Sequence, residues 1–425
     1  IAAEAAAAGP APGHERRGWL EEAARLTRAR AGEIAHAITR ETGKPIRDTR
    51  IEVERAAETL TLSAAEAVRI TGRHVPLDAS PLGAGKIAML LRYPVGVVAA
   101  IVPFNAPYNM ACHKLGPALA AGNAVVLKGA PEAPGCLSIL AEILTDAGVP
   151  EGWLSVLPGG AEAGEALVAD PRVGFVTFTG STRAGEAIAR AAGMRRVTLE
   201  LGGLGPNIVC ADADLAAAAP VCAANGMRLA GQSCISVQNL FVAQPVIGPF
   251  TERLLDAVDA LRAGDPMDEG VALGPMISEA AARRVESWVG EAVAAGARLL
   301  AGGTREGAVM APTVLADVRP EMRIAREEVF GPVIALRAFD DVDAPVDWVN
   351  ASGFGLHCGL FTDSTATALR VARRLSCGGL SVNGPSSFRT EQVPYGGLHR
   401  SGLGREGPAR AVEDMTEERL LVFNG

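Results

Sequence analysis

The sequence predicts an α/β protein built around doubly wound parallel sheets. In its first half, short runs of strand-forming residues alternate with helical patterns of about a dozen residues, which is typical of parallel βαβ units. The chain has 425 residues, of which 48% are hydrophobic and 21% charged. A globular chain of this length usually divides into two or three domains, because a single core stops growing at about 250–300 residues.

Hydrophobic periodicity gives the order of these elements along the chain. Helices are expected first at 19–40 and 48–70, and Pro and Gly punctuation at 73–92 predicts a hairpin. Buried strands are expected at 96–103, 124–128, 153–157 and 173–180, with helices at 108–121, 135–147 and 182–193. The second half predicts further helices at 212–230, 249–263, 278–296 and 364–376.

Composition argues against several classes of function. Forty Lys and Arg against 48 Asp and Glu give a net charge of −8, whereas nucleic-acid binding would require a basic surface. No apolar run reaches the roughly 18 residues of a membrane helix, so no membrane partner is expected. The seven cysteines are scattered without a CxxC pair, so neither a disulfide framework nor a metal site is expected. Together with the lack of a signal-peptide pattern, they indicate a cytoplasmic protein.

Two glycine-containing segments are candidate phosphate sites. The segment 402–407 matches G-x-G-x-x-G, but no buried strand leads into it, so a tight turn is the better interpretation. The segment Thr179-Gly180-Ser181-Thr182 lies where a predicted strand passes into a helix. A helix N-terminus offers free N–H groups and a positive dipole end to a pyrophosphate. The same sequence also suits an ordinary Ser/Thr helix cap.

Three residues together supply what acyl chemistry needs. Cys234 in GQSC is a candidate nucleophile, Glu200 in VTLELGG is a carboxylate within an apolar run, and Asn105 in IVPFNAP follows a predicted strand. Alone, these residues also fit a buried small thiol, a solvated strand end and a turn cap. As a set they offer a nucleophile, a general base and an amide donor.

With these segments, the chain resembles the aldehyde dehydrogenase superfamily over essentially its whole length. The matching segments follow the family order: Pro103-Phe-Asn105, Lys128, Phe178-Thr-Gly180-Ser181, Leu199-Glu200-Leu-Gly-Gly203, Gly231-Gln-Ser-Cys234, Glu328-Val-Phe330-Gly-Pro332 and Pro394-Tyr-Gly-Gly397. The resemblance implies the aldehyde dehydrogenase fold: a Rossmann-like cofactor domain, an α/β catalytic domain and a small β oligomerisation element.

The resemblance also implies where these parts lie. The cofactor domain covers 1–201 and is interrupted by an oligomerisation hairpin at 73–93, and the catalytic domain covers 202–398. Residues 399–425 form a C-terminal return and an oligomerisation strand, which is expected to pair with a neighbouring subunit. Members that this chain is similar to are dimers or tetramers, so a homodimer or homotetramer is expected.

The implied reaction is the oxidation of an aldehyde to a carboxylic acid with NAD or NADP. The Cys234 thiolate attacks the aldehyde carbon, and the Asn105 amide with the Cys234 N–H stabilises the oxyanion of the thiohemiacetal, worth about 3–4 kcal/mol per donor in comparable sites. Hydride transfer leaves a thioester, and Glu200 activates the water that releases the acid.

Several residues resemble the family's cofactor contacts. Lys128 and Glu328 match groups that hold ribose hydroxyls, and Phe330 packs beside the nicotinamide. Gly180 and Ser181 match a pyrophosphate contact, and Phe104 replaces the Trp of many members. NAD-preferring members often carry Lys-Pro-x-Glu after the cofactor strand. Here Pro131 occupies the carboxylate position, with Glu132 next to it, so use of NADP as well as NAD is expected.

The substrate-facing segments are polar. Asn109 and His113 are four residues apart and share a helical face, and Arg389 falls in the loop that lines the substrate mouth in relatives. This combination is similar to members that act on lactaldehyde, glyceraldehyde-type or phosphonoacetaldehyde-type substrates. It predicts a small polar or anionic aldehyde. An ordinary solvated role for His113 and Arg389 remains open.

Two alternatives belong to other classes. A CoA-acylating dehydrogenase would transfer the acyl group to CoA, but such relatives usually lack the base at the position of Glu200. A catalytically silent structural or binding relative would not be expected to retain Cys234, Glu200 and Asn105 together.

Overall fold

The computed structural model describes residues 1–424, which form 15 α-helices and 20 strands. The helices are α1 Ala2–Ala7, α2 Gly13–Ala29, α3 Ala31–Thr42, α4 Ile46–Glu66, α5 Pro107–Ala120, α6 Pro134–Asp146, α7 Ala161–Ala169, α8 Thr182–Ala192, α9 Leu215–Met227, α10 Ile247–Asp259, α11 Glu279–Ala294, α12 Arg323–Arg326, α13 Asp343–Ala351, α14 Thr365–Arg374 and α15 Pro408–Asp414. Within residues 1–424 no helix has the length and apolar character needed to cross a membrane.

The strands form three sheets of three or more strands and two short pairs. They are β1 Arg73–Val75, β2 Ile87–Pro94, β3 Val97–Ile101, β4 Ala124–Lys128, β5 Leu154–Leu157, β6 Val173–Thr179, β7 Arg196–Glu200, β8 Pro206–Val209, β9 Asn239–Ala243, β10 Arg298–Ala301, β11 Arg305–Glu306, β12 Val309–Met310, β13 Thr313–Ala316, β14 Val333–Phe339, β15 Phe354–Gly355, β16 His357–Phe361, β17 Gly379–Val382, β18 Leu398–His399, β19 Gly402–Leu403 and β20 Thr416–Phe423.

A six-stranded sheet joins five strands of the first half of the chain to β19 from near its end, in the order β19-β7-β6-β3-β4-β5. Its strands are parallel except β19, which runs antiparallel to β7. The central strand β3 is buried along its whole length. Val98 and Ala100 belong to the core on one face, and Val97 and Ala99 belong to the core on the other. Helices therefore cover both faces, as the continuous apolar runs of the sequence predict.

A seven-stranded sheet follows, in the order β10-β13-β14-β9-β8-β16-β17. It is parallel apart from β10, which pairs antiparallel with β13. Leu240 and Val242 of β9 pack into the core on one face, while Phe241 packs into the core on the other. Cys234 lies in the loop that precedes β9, whereas Asn105 and Glu200 lie at the carboxyl ends of β3 and β7 in the six-stranded sheet, where ligands of parallel α/β sheets bind.

The third sheet has the order β1-β2-β20 and joins the hairpin to the end of the chain. The strand Thr416–Phe423 pairs antiparallel with Ile87–Pro94 of its own chain, over eight residues, and lies at the edge of this sheet. The expected pairing of the tail with a neighbouring subunit stays a prediction. The preceding helix α15 packs on α4 and α5, which brings the chain end back to the hairpin. An intrachain partner at this distance in sequence could not be inferred from a local pattern.

Other predicted elements differ only in detail. The expected helix 19–40 consists of two helices, α2 and α3, separated by Arg30, which leaves helical geometry with φ −101° and ψ 17°. The helix Ala161–Ala169 was missed because Gly and Ala blur its periodicity. The segment 402–407 forms β19 and a tight turn, as expected, with φ of +81° at Gly404 and +117° at Gly407.

A buried ion pair fixes the start of helix α5. Glu52 accepts hydrogen bonds from the backbone N–H groups of Tyr108 and Asn109, at 3.0 and 3.2 Å, and thereby caps the helix. Its second carboxylate oxygen accepts a hydrogen bond from the ammonium of Lys44, and both side chains are buried. Lys44 Nζ also lies 3.5 Å from the carbonyl oxygen of Asn105. The pair therefore positions the loop that carries Asn105.

We expect Glu52→Gln to destabilise the protein by about 3 kcal/mol, because it leaves the Lys44 ammonium buried without its counter-charge. The loss would be measured as the lowering of Tm in calorimetric scans at one fixed rate, since chains of this size often unfold irreversibly. The control is Glu52→Gln combined with Lys44→Met, which removes both charges and should recover part of the loss. A double variant that is no more stable than the single one would contradict this account.

Candidate active site

A small cavity of about 110 Å³ lies beyond the carboxyl ends of β6 and β7, against the start of α5. The residues that line it include Asn105, Glu200 and Cys234, which the sequence predicted as a catalytic set. The other lining residues are Lys44, Glu52, Arg55, Ala106, Asn109, Met110, Thr179, Asn225, Arg228, Leu229, Ser233, Ile235, Ser387, Arg389, Tyr395 and Glu406. Two strands of the six-stranded sheet, the helices α4, α5 and α9, and the loops before β9 and after β17 thus meet at one cavity.

Cys234 is presented by a strained turn after α9. Leu229, Ala230 and Gly231 all adopt left-handed backbone conformations, with φ of +56°, +52° and +68°. Such conformations cost about 1–3 kcal/mol for residues other than Gly and tend to occur at functional sites. The Cys234 sulfur lies 3.2 Å from the Tyr395 hydroxyl oxygen. Burial raises the pKa of the thiol to about 12, while the Tyr395 hydroxyl opposes that rise.

Asn105 is held next to the cysteine loop. Its side-chain amide nitrogen donates a hydrogen bond to the carbonyl oxygen of Gln232, at 2.9 Å. Gln232 is two residues before Cys234, so the amide lies beside the turn that presents the thiol. This arrangement puts an N–H donor near the position where a carbonyl oxygen of a bound aldehyde would develop charge.

Glu200 ends strand β7 with its carboxyl group buried. Neither of its oxygens accepts a hydrogen bond from any protein group within residues 1–424. Burial, and secondly the negative charge of Glu406, raise the pKa of Glu200 well above its ordinary value of 4.5. Arg389, Lys114 and Arg405 act in the opposite direction but do not outweigh burial. A carboxylate that is not engaged by the protein remains free to accept a proton from water.

Behind the cavity lies a network of buried charges that sequence reasoning missed. Lys114 Nζ donates hydrogen bonds to the hydroxyl of Thr179, at 2.8 Å, and to Glu406, at 2.5 Å. Arg389 donates to the other carboxylate oxygen of Glu406, at 3.2 Å. Burial raises the pKa of Glu406, but Lys114 and Arg389 outweigh it and bring the pKa to about 2. Glu406 lies in the segment 402–407, for which the sequence predicts only a tight turn.

Of the three predicted substrate residues, two line the cavity. Arg389 does so with a side chain that is only 7% exposed, and its guanidinium carbon lies 4.0 Å from the ring centre of Tyr395. Asn109 also lines the cavity, but its amide donates to Glu391, at 3.3 Å. His113 lies behind the wall, where Nε2 contacts Glu391. Burial and Arg389 lower the pKa of His113, whereas its hydrogen bond with Glu391 opposes that shift.

Four cationic side chains line the cavity: Lys44, Arg55, Arg228 and Arg389. Lys44 and Arg55 are paired with the buried carboxylates of Glu52 and Glu391, respectively. Arg228, which the sequence did not single out, is less firmly held. Its Nε is 3.4 Å from an Asp48 oxygen without hydrogen-bond geometry to any group of the described chain, and its side chain is 38% exposed. The arrangement favours a ligand with a negative group.

A second, larger cleft of about 660 Å³ opens beside the first turn of α8 and is lined by Thr182, Glu328 and Arg400, among others. Ser181 caps α8, and its hydroxyl accepts a hydrogen bond from the N–H of Ala184, at 3.3 Å. Glu328 accepts one from the N–H of Gly203, at 3.2 Å, and burial raises its pKa to about 7. A helix N-terminus and a carboxylate at one cleft suit the phosphates and ribose hydroxyls of a dinucleotide.

The remaining cofactor candidates, Phe104, Phe330 and Lys128, are not among the residues that line this cleft. Phe104 and Phe330 form an edge-to-face pair with ring centres 5.9 Å apart, and Phe330 has a positive φ of +48°. Lys128 ends β4, where burial lowers its pKa and Glu132 opposes that shift. The carboxylate expected at position 131 in NAD-preferring relatives is thus found one residue later in the chain, within electrostatic reach of Lys128.

Comparison with known proteins identifies the family to which the chain belongs. A model described as "Aldehyde dehydrogenase family" matches residues 1–421. The chain belongs to the aldehyde dehydrogenase family. A 3-sulfolactaldehyde dehydrogenase of Priestia aryabhattai is 48% identical to it over 412 residues, covering 97% of this chain and 86% of the relative.

Two solved structures are similar at TM-scores of 0.95. Aldehyde dehydrogenase 21 of Physcomitrella patens, in complex with its reaction product succinate, is 38% identical, covering 99% of this chain and 88% of that chain. A glyceraldehyde-3-phosphate dehydrogenase of Methanocaldococcus jannaschii, complexed with NADP, is 34% identical, covering 100% and 93%. The predicted fold is confirmed, and this aldehyde dehydrogenase uses NAD or NADP to oxidise an aldehyde.

We expect Glu200→Gln to stabilise the enzyme relative to wild type more at pH 9 than at pH 5. The pKa of Glu200 is raised on folding, so the buried carboxyl costs nothing while it is protonated in both states. Its penalty grows as the pH rises from the ordinary pKa of 4.5 in the unfolded chain and is complete above the raised folded-state pKa. Each unit of that rise corresponds to about 1.4 kcal/mol. The Tm of both proteins would be measured at both pH values.

The control for this measurement is Glu58→Gln, which removes an exposed carboxylate from α4. It should change Tm by a similar, small amount at both pH values. An effect of Glu200→Gln that is equally independent of pH would show that the carboxyl is hydrated rather than desolvated in the folded protein.

Proposed function

We propose that this aldehyde dehydrogenase oxidises a short aldehyde with an anionic group, of the 3-sulfolactaldehyde type, to the corresponding acid. The observation that carries the proposal is Arg228, a partly exposed cation on the wall of the cavity that holds Cys234, whose Nε has no hydrogen-bond partner among the described residues. The other cations of the wall, Lys44, Arg55 and Arg389, are each paired with a buried carboxylate. A cavity of about 110 Å³ admits only a few carbon atoms. The three relatives described above act on, or release, compounds with a sulfonate, phosphate or carboxylate group.

In this proposal, Cys234 is the nucleophile. Its thiolate sulfur bonds to the aldehyde carbon, and the electron pair of the C=O bond moves to oxygen. The oxyanion of this thiohemiacetal accepts hydrogen bonds from the Asn105 amide and the Cys234 backbone N–H. The hydrogen bond of the Asn105 amide to Gln232 supports this assignment, since it holds the donor at the cysteine loop.

The six-stranded sheet is the cofactor-binding unit in this proposal. Lys128 and Glu328 would hold ribose hydroxyls, Gly180 and Ser181 the pyrophosphate, and Phe330, packed on Phe104, would flank the nicotinamide. NAD or NADP, when bound, accepts the hydride from the thiohemiacetal carbon. What supports this assignment is the cleft at the N-terminus of α8, with the Glu328 carboxylate in its wall.

Glu200 acts as the general base for the second half of the reaction. It takes a proton from a water molecule, whose oxygen attacks the thioester carbon and displaces the Cys234 sulfur. Its unengaged oxygens and raised pKa support this role, because a base must hold the transferred proton as well as accept it. The retained base also argues against acyl transfer to CoA.

The proposal includes a homo-oligomer in the cytoplasm. The hairpin strand and the C-terminal strand expose large apolar side chains on one small sheet, namely Ile87, Leu420, Leu421 and Phe423. Such a surface is typical of a subunit interface. All seven cysteines are free thiols, which suits a reducing compartment.

We expect Cys234→Ala to abolish reduction of NAD and NADP by 3-sulfolactaldehyde while leaving cofactor affinity nearly unchanged, because only the nucleophile is lost. Steady-state absorbance of the reduced cofactor and its binding by fluorescence would test this. Cys377→Ala, which removes another partly exposed thiol, is the control and should retain turnover. Formation of an acyl-CoA product, or more than a few per cent residual activity in Cys234→Ala, would contradict the proposal.

We expect Arg228→Gln to lower kcat/KM for 3-sulfolactaldehyde by about 10- to 150-fold, or about 1.5–3 kcal/mol, the range for hydrogen bonds to charged groups. A neutral aldehyde of similar size, glyceraldehyde, should lose almost nothing. Arg389→Gln should impair both substrates, because Arg389 also neutralises Glu406. The control is Arg50→Gln, which breaks an exposed pair with Glu269. Equal losses on both substrates in Arg228→Gln would remove the anionic specificity.

A further inference from the structure

Tyr395 is a buried tyrosine whose hydroxyl has one hydrogen-bond partner within residues 1–424, the sulfur of Cys234, at 3.2 Å. Its backbone is fixed by two hydrogen bonds with Glu406: the Tyr395 N–H donates at 3.0 Å, and the Tyr395 carbonyl accepts at 2.7 Å. The ring packs against that of His357, with centres 4.8 Å apart. The Tyr395 hydroxyl is therefore held in a fixed position next to the Cys234 sulfur.

From this geometry we infer that the Tyr395 hydroxyl donates a hydrogen bond to the Cys234 thiolate and so holds and activates it. The inference rests on the proposed role of Cys234 as the nucleophile. The sulfur releases its proton to solvent, and the hydroxyl keeps its own proton throughout. When the S–C bond forms, the sulfur loses its negative charge and becomes a weaker acceptor, so the hydrogen bond weakens.

The environment of the sulfur explains why such a donor matters. Ile235 and Leu356 form a small apolar cluster with Cys234 and Tyr395, which disfavours a charged thiolate. The titratable and charged groups that affect the thiol are Tyr395, Glu328, Arg389 and Glu200. Both carboxylates oppose ionisation, and Arg389 and the hydroxyl favour it. Tyr395 is the one that contacts the sulfur directly.

Arg389 strengthens this donor. Its guanidinium lies over the Tyr395 ring face, 4.0 Å from the centre. A cation at the ring draws electron density from the phenol and makes the hydroxyl a better donor. The Arg389 guanidinium is thereby connected to the Cys234 sulfur through the side chain of Tyr395.

The gain in the thiolate fraction of Cys234 outweighs the loss in the intrinsic nucleophilicity of its sulfur. Lowering the pKa of a thiol by one unit raises its thiolate fraction about tenfold while the pH is below the pKa. With a Brønsted coefficient of about 0.4–0.5, the same change lowers the intrinsic reactivity of the thiolate only about threefold. Because burial raises the pKa of Cys234 to about 12, its reaction at neutral pH is limited by the amount of thiolate.

The test is the pH dependence of alkylation of Cys234 by iodoacetamide in the full-length apoenzyme, with labelling of Cys234→Ala subtracted as background. We expect Tyr395→Phe to slow alkylation about three- to tenfold at pH 7.5 and to move the profile to higher pH, since one hydrogen bond is lost. The matched control is Tyr108→Phe, which removes a buried hydroxyl bonded to Thr27, at 3.1 Å, in the core. It should leave the profile unchanged.

A second substitution keeps the test decisive if Tyr395→Phe fails to fold. Tyr395→3-fluorotyrosine retains the ring and makes the hydroxyl more acidic, so it should move the profile to lower pH. A profile identical to wild type in the folded Tyr395→Phe variant, or in the fluorinated protein, would overturn the inference. Alkylation of Cys234 does not require oxidation of an aldehyde, so this test and the test of the proposed function can fail independently. Residual turnover in Cys234→Ala would therefore refute the proposed function, and with it the catalytic meaning of the contact.

Discussion

A buried network of charges centred on Glu406 ties together the segments that form the active site. Its carboxylate contacts Lys114 of α5 and Arg389 of the loop before Tyr395, and it also contacts the end of β6 at Thr179. Its backbone pairs with that of Tyr395. An unpaired charge in this interior would cost several kcal/mol, so these groups must meet whenever the chain folds. The network thus fixes the part of the cavity wall that Thr179, Arg389 and Tyr395 form.

The same charges set the chemical character of the groups at the front of the cavity. Glu406 is ionised and near Glu200, and together with burial it makes Glu200 a carboxyl that ionises reluctantly. Arg389 offsets part of that effect and also polarises the ring of Tyr395, whose hydroxyl contacts Cys234. Base and nucleophile therefore lie in different electrostatic surroundings within one small cavity, which is how a protein assigns separate roles to neighbouring titratable groups.

The cationic side chains of the cavity wall differ in whether they stabilise the fold or remain available to bind a substrate. Lys44 and Arg55 are each paired with a buried carboxylate, so their charges are largely spent on holding the structure. Arg228 is only loosely held: its Nε lies 3.4 Å from the buried carboxylate of Asp48 without a hydrogen bond. Its partly exposed guanidinium is therefore the least firmly bound of these cations, although Asp48 depends on it as a counter-charge. In the proposed function, Arg228 therefore binds the anionic group of the substrate, while Lys44 and Arg55 stabilise the buried carboxylates.

The sequence by itself determined the α/β class, most strands and helices, and the set Cys234, Glu200 and Asn105, because these follow from hydrophobic periodicity and from short contiguous motifs. It did not determine the pairing of β20 with the hairpin or the helix Ala161–Ala169, whose periodicity Ala and Gly blur. The tertiary structure alone decided the contact of Tyr395 with Cys234, 161 residues apart in the chain, and the place of Arg228 in the cavity wall. The reason is physical: a local pattern records which face of an element is buried, whereas a buried hydroxyl or charge takes its role from the partners that folding brings to it.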